Sequence, residues 1–313
     1  MSGLVRKHAW PLGLGILLFI LLALTRLIQP TFGASGIESL ARAALPFAFA
    51  TAGMAIVVIV GGIDLSVASI MAVSAVLAAV LMERMAGVPA LILVLAAGLA
   101  MGVINGALIV LTRVPDIVVT LAMLFVWEGT ALLILSSPGG ATADWLEAAI
   151  RGFFPFEGIP KAFLIVAGAI GLVWLPLKRS KLGLSIYATG SDELAAFRSG
   201  VAVGRTKIAA YGICGLFCAM GGLSLAALTG IGEPVPGPYL MAAVAAVVLG
   251  GVALGGGKGG LLGPIIAVFI LRIIRTILTL MAVDPNVTTI IEGTIMVAVV
   301  MLGTWLTMRG ARQ

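Results

Sequence analysis

Histidine and cysteine are nearly absent from this chain of 313 residues, with one and two copies respectively. His8 stands alone near the N-terminus, so a Ser-His-Asp triad, a zinc site or a histidine proton relay lacks its parts. Cys214 and Cys218 stand at i, i+4 in an apolar run without histidine or carboxylate neighbours, which suits small packing residues better than metal ligands. No nucleophile, base and metal set is clustered anywhere, which argues against a membrane-bound enzyme. A phosphate-binding loop is missing as well. The glycine-rich stretch LGGVALGGGKGGLLGP, 249–264, holds Val252 where the first glycine of Gly-x-x-x-x-Gly-Lys-[Ser/Thr] belongs, and Gly259 where the hydroxyl residue belongs. It reads as a tight interhelical turn with close packing through small residues.

Charge is scarce too. Only 10% of residues are Asp, Glu, Lys or Arg, against roughly 25% in a soluble domain. What fills the chain instead is hydrocarbon: 61% of residues are hydrophobic and the mean hydropathy is +1.21. Lipid permits only helices and closed barrels, a helical crossing takes about 20 apolar residues, and the runs here are too long for barrel strands of about 10. The fold class is therefore an all-α polytopic membrane protein. Spans are expected at 10–28, 41–60, 66–82, 89–111, 117–135, 162–177, 208–229, 239–255, 261–281 and 288–306, about ten helices in one transmembrane domain covering 1–313. The apolar run behind Arg6 and Lys7 is too long for a signal-peptide core and reads as a retained anchor.

Basic residues mark the cytoplasmic side of a membrane protein. With the N-terminus inside, the inner segments hold Arg6, Lys7, Arg113, Lys178, Arg179, Lys181, Arg198, Arg205, Lys207, Lys258, Arg309 and Arg312. The outer segments collect Glu38, Glu83, Asp144, Glu147, Glu157, Glu233 and Asp284. Both ends are thus expected in the cytoplasm. The formal charge of +6 reflects this asymmetry, and no basic stripe with interleaved aromatics points to nucleic acid.

Polar residues inside the apolar runs are the candidate functional groups. In IVGGIDLSVASI, 59–70, Gly61 and Gly62 let one helix end, and Asp64 or Ser66 can accept backbone N–H bonds as the cap of the next. At the membrane surface Asp64 is a cap; at membrane depth it must line protein or water and becomes part of a gate or path. Asn105, beside Gly106, is either interhelical glue or a substrate ligand. Arg272 and Arg275 lie at i, i+3 on one predicted helix, and Glu128 and Glu292 also fall within spans. Two of each sign suggests pairing in the bundle interior, with a role in the solute path as the alternative. VGGIDL (60–65) and LGGVAL (249–254) echo one another, either as parallel internal copies or as convergent turn chemistry.

The long inner segment LKRSKLGLSIYATGSDELAAFRSGVAVGRTK, 177–207, predicts a helix of about eight residues. Ser191 would cap it, Asp192 and Glu193 fill its first turn, Arg198 its last, and Gly200 closes it. Leu194, Phe197 and Val201 form one apolar stripe suited to lipid headgroups or to a groove on a cytoplasmic partner.

Four ordered motifs carry a family resemblance over about residues 40–303. They are GGIDLSVASIMAVSA (61–75), GVINGALIVLTRVPDIVVTLAM (102–123), YATGSDELAAFRSGVAVGRTK (187–207) and AAVVLGGVALGGGKGGLLGPIIAV (245–268). Together they resemble the membrane permease subunit of sugar-importing ABC transporters, the ribose, xylose, galactose and autoinducer-2 group. Two departures stand out: Asp116 follows Pro115 where a second proline is usual, and Leu194 precedes Ala195-Ala196 where a charged residue is common.

The resemblance implies a type II importer bundle, similar to the vitamin B12 permease, with an internal repeat and a coupling segment at 178–207. It implies a bacterial inner-membrane location and two permease subunits, identical or paralogous, around one path. A cytoplasmic ATPase subunit, which binds ATP and magnesium, would be engaged through Ser191, Asp192, Glu193, Leu194, Ala195, Ala196, Phe197, Arg198 and Gly200. A sugar-binding protein would deliver the solute from outside. Asp64, Ser66, Asn105 and Thr120 are the candidate path or gate residues. A self-contained secondary transporter or facilitator is the rival reading, weakened by the shortage of titratable groups in the spans.

Overall fold

The computed structural model describes residues 2–155, 158–235 and 237–310; Glu157 and Arg312 of the expected charge pattern lie outside them. Fourteen α-helices lie among the described residues: α1 (Ser2–Ile28), α2 (Ala34–Ile59), α3 (Val67–Arg84), α4 (Gly87–Thr112), α5 (Asp116–Ile134), α6 (Asp144–Ile150), α7 (Lys161–Ala169), α8 (Leu175–Arg179), α9 (Lys181–Ser191), α10 (Glu193–Arg198), α11 (Val203–Thr229), α12 (Tyr239–Leu249), α13 (Leu262–Leu280) and α14 (Pro285–Gly310). A π-helical turn, Ile170–Trp174, joins α7 to α8.

Eight helical segments among the described residues are long and apolar enough to cross a membrane: Trp10–Ile28, α2, α3, α4, α5, Lys161–Arg179, α11 and α13. The expected span at 239–255 is shorter than the sequence suggests. Its helix stops at Leu249 after 11 residues, about 16 Å at 1.5 Å per residue, and glycine-rich backbone carries the chain from there to α13.

Small residues decide which helices form the centre. A Cβ added at Gly102 would strike the Tyr211 carbonyl of α11, one at Gly215 the Gly98 carbonyl of α4, and one at Gly222 the Met71 carbonyl of α3. With backbones this close, α11 packs against α4 on one side and α3 on the other, as small-residue crossings allow in lipid. Helix α2 is 89% buried over its apolar window, whereas the first span is 11% and α5 17% buried. The core is therefore α2, α3 and α11, with α1 and α5 outermost.

Both glycine pairs end their helices in the same way. Gly61 has φ +95° and Gly251 φ +83°. The Gly62 N–H reaches the Val57 carbonyl and the Val252 N–H the Val247 carbonyl, the 6→1 bond of a Schellman cap. The echo is thus repeated in backbone conformation, but Gly61 corresponds to Gly251, one residue out of step with the aligned letters. The glycine segment behind the second turn reaches the end of α2, where the Gly257 N–H donates to the Ile59 carbonyl at 2.9 Å.

Candidate functional site

Residues 60–66 leave α2 and fold back into the bundle before α3 begins. Asp64 Oδ1 accepts the Ser66 backbone N–H at 2.9 Å and the Ser66 hydroxyl at 2.6 Å, an Asx turn that sets Ser66 at the N-cap position of α3. Ser66 itself makes no side-chain cap bond; its Oγ instead accepts from Asn105 Nδ2 at 2.7 Å. Asn105 Oδ1 in turn accepts the indole N–H of Trp127 at 3.1 Å. Thr120 donates to the Ile63 carbonyl at 3.2 Å and to the Asp116 carbonyl at 2.8 Å.

The four residues singled out as path or gate thus converge on one turn, although they come from three segments far apart in sequence. Asp64, Ser66, Asn105 and Thr120 are all fully buried. The Asp64 side chain is withdrawn into the protein, although Gly61 of the same turn is exposed. Its Oδ1 is twice satisfied, while Oδ2 is buried with no partner, an arrangement that costs free energy unless another group reaches it.

Asp116 and Tyr211 complete the cluster. The Tyr211 hydroxyl donates to Asp116 Oδ2 at 3.0 Å, and a Cβ on Gly62 would lie 2.5 Å from both of those atoms. Gly62 is what allows the pair to close over the turn. Trp127 and Tyr211 were not expected members. Their signal in the sequence is only that each is an aromatic with a polar handle, which seeks a partner when buried.

On the same end of the bundle, α9 begins at Ser180, whose hydroxyl accepts the Gly183 N–H at 3.1 Å. It runs straight through Gly190 and Ser191. Ser191 is not the cap of the next helix: its hydroxyl turns back to the Tyr187 carbonyl at 2.8 Å. Asp192 takes that position, its Oδ1 accepting the Ala195 N–H at 2.9 Å. Helix α10 accordingly has six residues rather than about eight. Gly200, at φ +84°, closes it as expected.

The expected stripe is shortened, since α10 ends at Arg198 and leaves Val201 beyond the helix; Leu194 and Phe197 face outward. Leu194 is 58% and Phe197 67% exposed, flanked by exposed Asp192, Glu193, Ala195 and Arg198, while Ala196 faces inward. Glu193 bonds Lys207 of α11 at 2.8 Å, which fixes the helix to the bundle. Half-burial of Tyr187 holds its phenol above the usual tyrosine range, so it stays a neutral donor to the Gly259 carbonyl at 2.8 Å.

The intramembrane charges pair only in part. Arg275 and Glu292 form the expected ion pair at 3.2 Å. Arg272 joins no acid among the described residues; its guanidinium sits 4.9 Å from the centroid of Phe47, a cation–π contact. Glu128 has no ion pair among the described residues, because α5 carries it on the flank of the bundle. Cys214 and Cys218 are fully buried, with sulfurs 4.0 Å apart.

Comparison with known proteins places the sequence in a transport family. The family described as branched-chain amino acid transport system / permease component matches residues 36–300. The ribose import permease protein of Escherichia coli (strain K12) is 30% identical over 293 residues, 92% of this chain and 91% of that protein. That of Bacillus subtilis (strain 168) is 33% identical over 291 residues, 91% and 90% of the two chains. The autoinducer 2 import system permease protein of Escherichia coli (strain K12) is 29% identical over 311 residues, 94% and 92%. No solved structure matches. The resemblance carried by the four motifs is borne out, and the chain belongs to the branched-chain amino acid transport system / permease component family.

Proposed function

We propose that the chain is the membrane permease subunit of an ATP-binding cassette importer and forms the path for a monosaccharide or related small polyhydroxy compound. The carrying observation is the short capped helix α10, which stands outside the bundle with Leu194 and Phe197 exposed. Exposed apolar side chains rimmed by charge mark a docking surface. ATP and magnesium act in the partner ATPase. The chain's own residues supply the docking helix and the solute path. A sugar-binding protein delivers the solute from the outer side, and a second permease subunit completes the path.

In this reading the chain is a single transmembrane domain over 1–313, with its coupling segment at 178–207, in the bacterial inner membrane. Both ends face the cytoplasm. The ends of α2, α4, α8 and α12 and the starts of α3, α5, α11 and α13 then share the cytoplasmic face, in keeping with the basic residues there. The ten-crossing type II bundle follows if α12 with the glycine segment behind it, and α14, supply the two crossings beyond the eight. Closure of the ATPase pair would shift α10 and rock the helices between inward-open and outward-open arrangements.

Reconstitution in proteoliposomes tests this. Uptake should require the chain, its ATPase, the binding protein and ATP together. Sugar uptake by the chain alone, insensitive to ATP, would instead establish a facilitator.

A further inference from the structure

The coupling helix and the Asp64 turn are joined by a backbone junction in which Gly190 is the central residue. Gly190 lies in the last turn of α9, two residues before the Asp192 cap, and is buried. A Cβ there would overlap the Ile59 carbonyl oxygen and come within 2.6 Å of the Gly257 nitrogen. Both are backbone atoms that cannot rotate away. From the other side, a Cβ on Gly256 would lie 2.6 Å from the Gly190 oxygen and 3.0 Å from the Gly61 Cα. Three chain segments, 59–61, 189–191 and 256–257, therefore touch backbone to backbone. The Gly257 to Ile59 hydrogen bond and the Tyr187 to Gly259 hydrogen bond hold them together.

We propose that Gly190 is the positioning residue that transmits displacement of α10 to the Gly61–Ser66 turn, so that the coupling helix and the Asp64–Ser66–Asn105 cluster move as one body. The inference rests on the reading of α10 as the ATPase contact. Packed interiors transmit strain because they cannot deform continuously, and a junction of bare backbones leaves no side-chain rotamer to absorb the movement. The chemistry of Asp64 does not enter; what is transmitted is position.

The test uses the complete reconstituted complex and measures ATP hydrolysis and sugar uptake side by side. Gly190→Ala should lower the sugar moved per ATP hydrolysed at least about fivefold, the low end of ordinary coupling between sites. Gly168→Ala, at a helical position where a Cβ meets nothing within 4 Å, should match the wild type. Loss of a merely structural residue lowers hydrolysis and uptake together and leaves their ratio unchanged. A wild-type ratio in Gly190→Ala therefore overturns the proposal.

Should the variant fail to insert, spin labels at exposed Ser199→Cys, just past α10, and at half-buried Leu65→Cys, in the turn itself, decide in an otherwise wild-type chain whose native cysteines are buried. Their separation should stay constant through the ATP cycle, and a change overturns the single-body movement. Absence of ATP-dependent uptake by the wild-type complex speaks against the importer reading, a different result from either of these.

Discussion

Asn105 of α4 donates to Ser66 at the start of α3 and accepts from Trp127 of α5. One amide thereby ties three helices to the turn that holds Asp64. In lipid, such interhelical bonds are worth about 0.6 to 2 kcal/mol each, and here both ends of the amide are used. Asn105→Leu should destabilise the detergent-solubilised protein by about 1–2 kcal/mol, read as a fall in thermal midpoint. Asn105→Gln, which keeps the chemistry but lengthens the reach, should lose part of this. Equal midpoints for Asn105→Leu and the wild type would show that the bridge contributes nothing.

Asp64→Asn retains an oxygen acceptor for the Ser66 N–H and hydroxyl, whereas Asp64→Ala leaves both buried donors unpaired, a penalty of about 1–3 kcal/mol. Thermal unfolding should therefore rank wild type and Asp64→Asn together, with Asp64→Ala below them. If transport falls equally in both variants while Asp64→Asn remains stable, the charge itself is what transport requires.

Asp192→Ala should remove the cap of α10, worth about 1 kcal/mol, and weaken ATPase docking, while Asp192→Asn should preserve it. Ser191→Ala should have little effect, because the Ser191 hydroxyl bonds within α9. Pull-down of the ATPase by the solubilised permease measures both.

Phe197→Ala should weaken that docking further. Burial of a phenylalanine side chain contributes about 1.5–3 kcal/mol, so affinity should fall by about tenfold or more. Retained affinity would place the ATPase contact elsewhere.

Arg275→Glu and Glu292→Arg should each reduce stability, and the double exchange should recover much of the loss. Arg275 is 40% exposed in side chain, so the coupling recovered should be modest, about 0.5–1 kcal/mol, as in partly exposed pairs. No recovery in the double variant would remove the pair as a helix register device.

The membrane-spanning helices were legible in the chain's letters because a long apolar run has few other readings. Asp64, Ser66, Asn105 and Thr120 could be picked out as polar residues among hydrocarbon. That they meet could not, since the Ser66–Asn105 bond spans 39 positions and the Thr120–Ile63 bond 57. Tyr211 and Asp116, 95 positions apart, lack even a shared motif. The cap of α10 was displaced by one residue because serine and aspartate both cap well, and only the backward turn of the Ser191 hydroxyl separates them. Gly190 resembles a helix stop in sequence, yet it stays helical and is small for reasons of approach. The length of α12 was overestimated because hydropathy continues past Leu249 although Gly250 and Gly251 end the helix.

Within each glycine pair the two residues divide the labour, and the division is reversed between the pairs. Gly61 supplies the left-handed backbone and Gly62 the room for Asp116 and Tyr211, whereas Gly250 supplies the room, against Pro264, and Gly251 the left-handed backbone together with room for the Trp10 ring. Interchangeability is therefore the wrong expectation for these four positions. At Gly61 a Cβ meets nothing nearer than the Gly190 Cα at 3.6 Å, so an asparagine there has space and is opposed by its backbone alone, since φ +95° lies beyond the usual left-handed region. At Gly62 and at Gly250 the same asparagine collides, although its backbone would be content in either place. A screen of substitutions that treats Gly-Gly as one motif will average a site limited by backbone strain with one limited by collision.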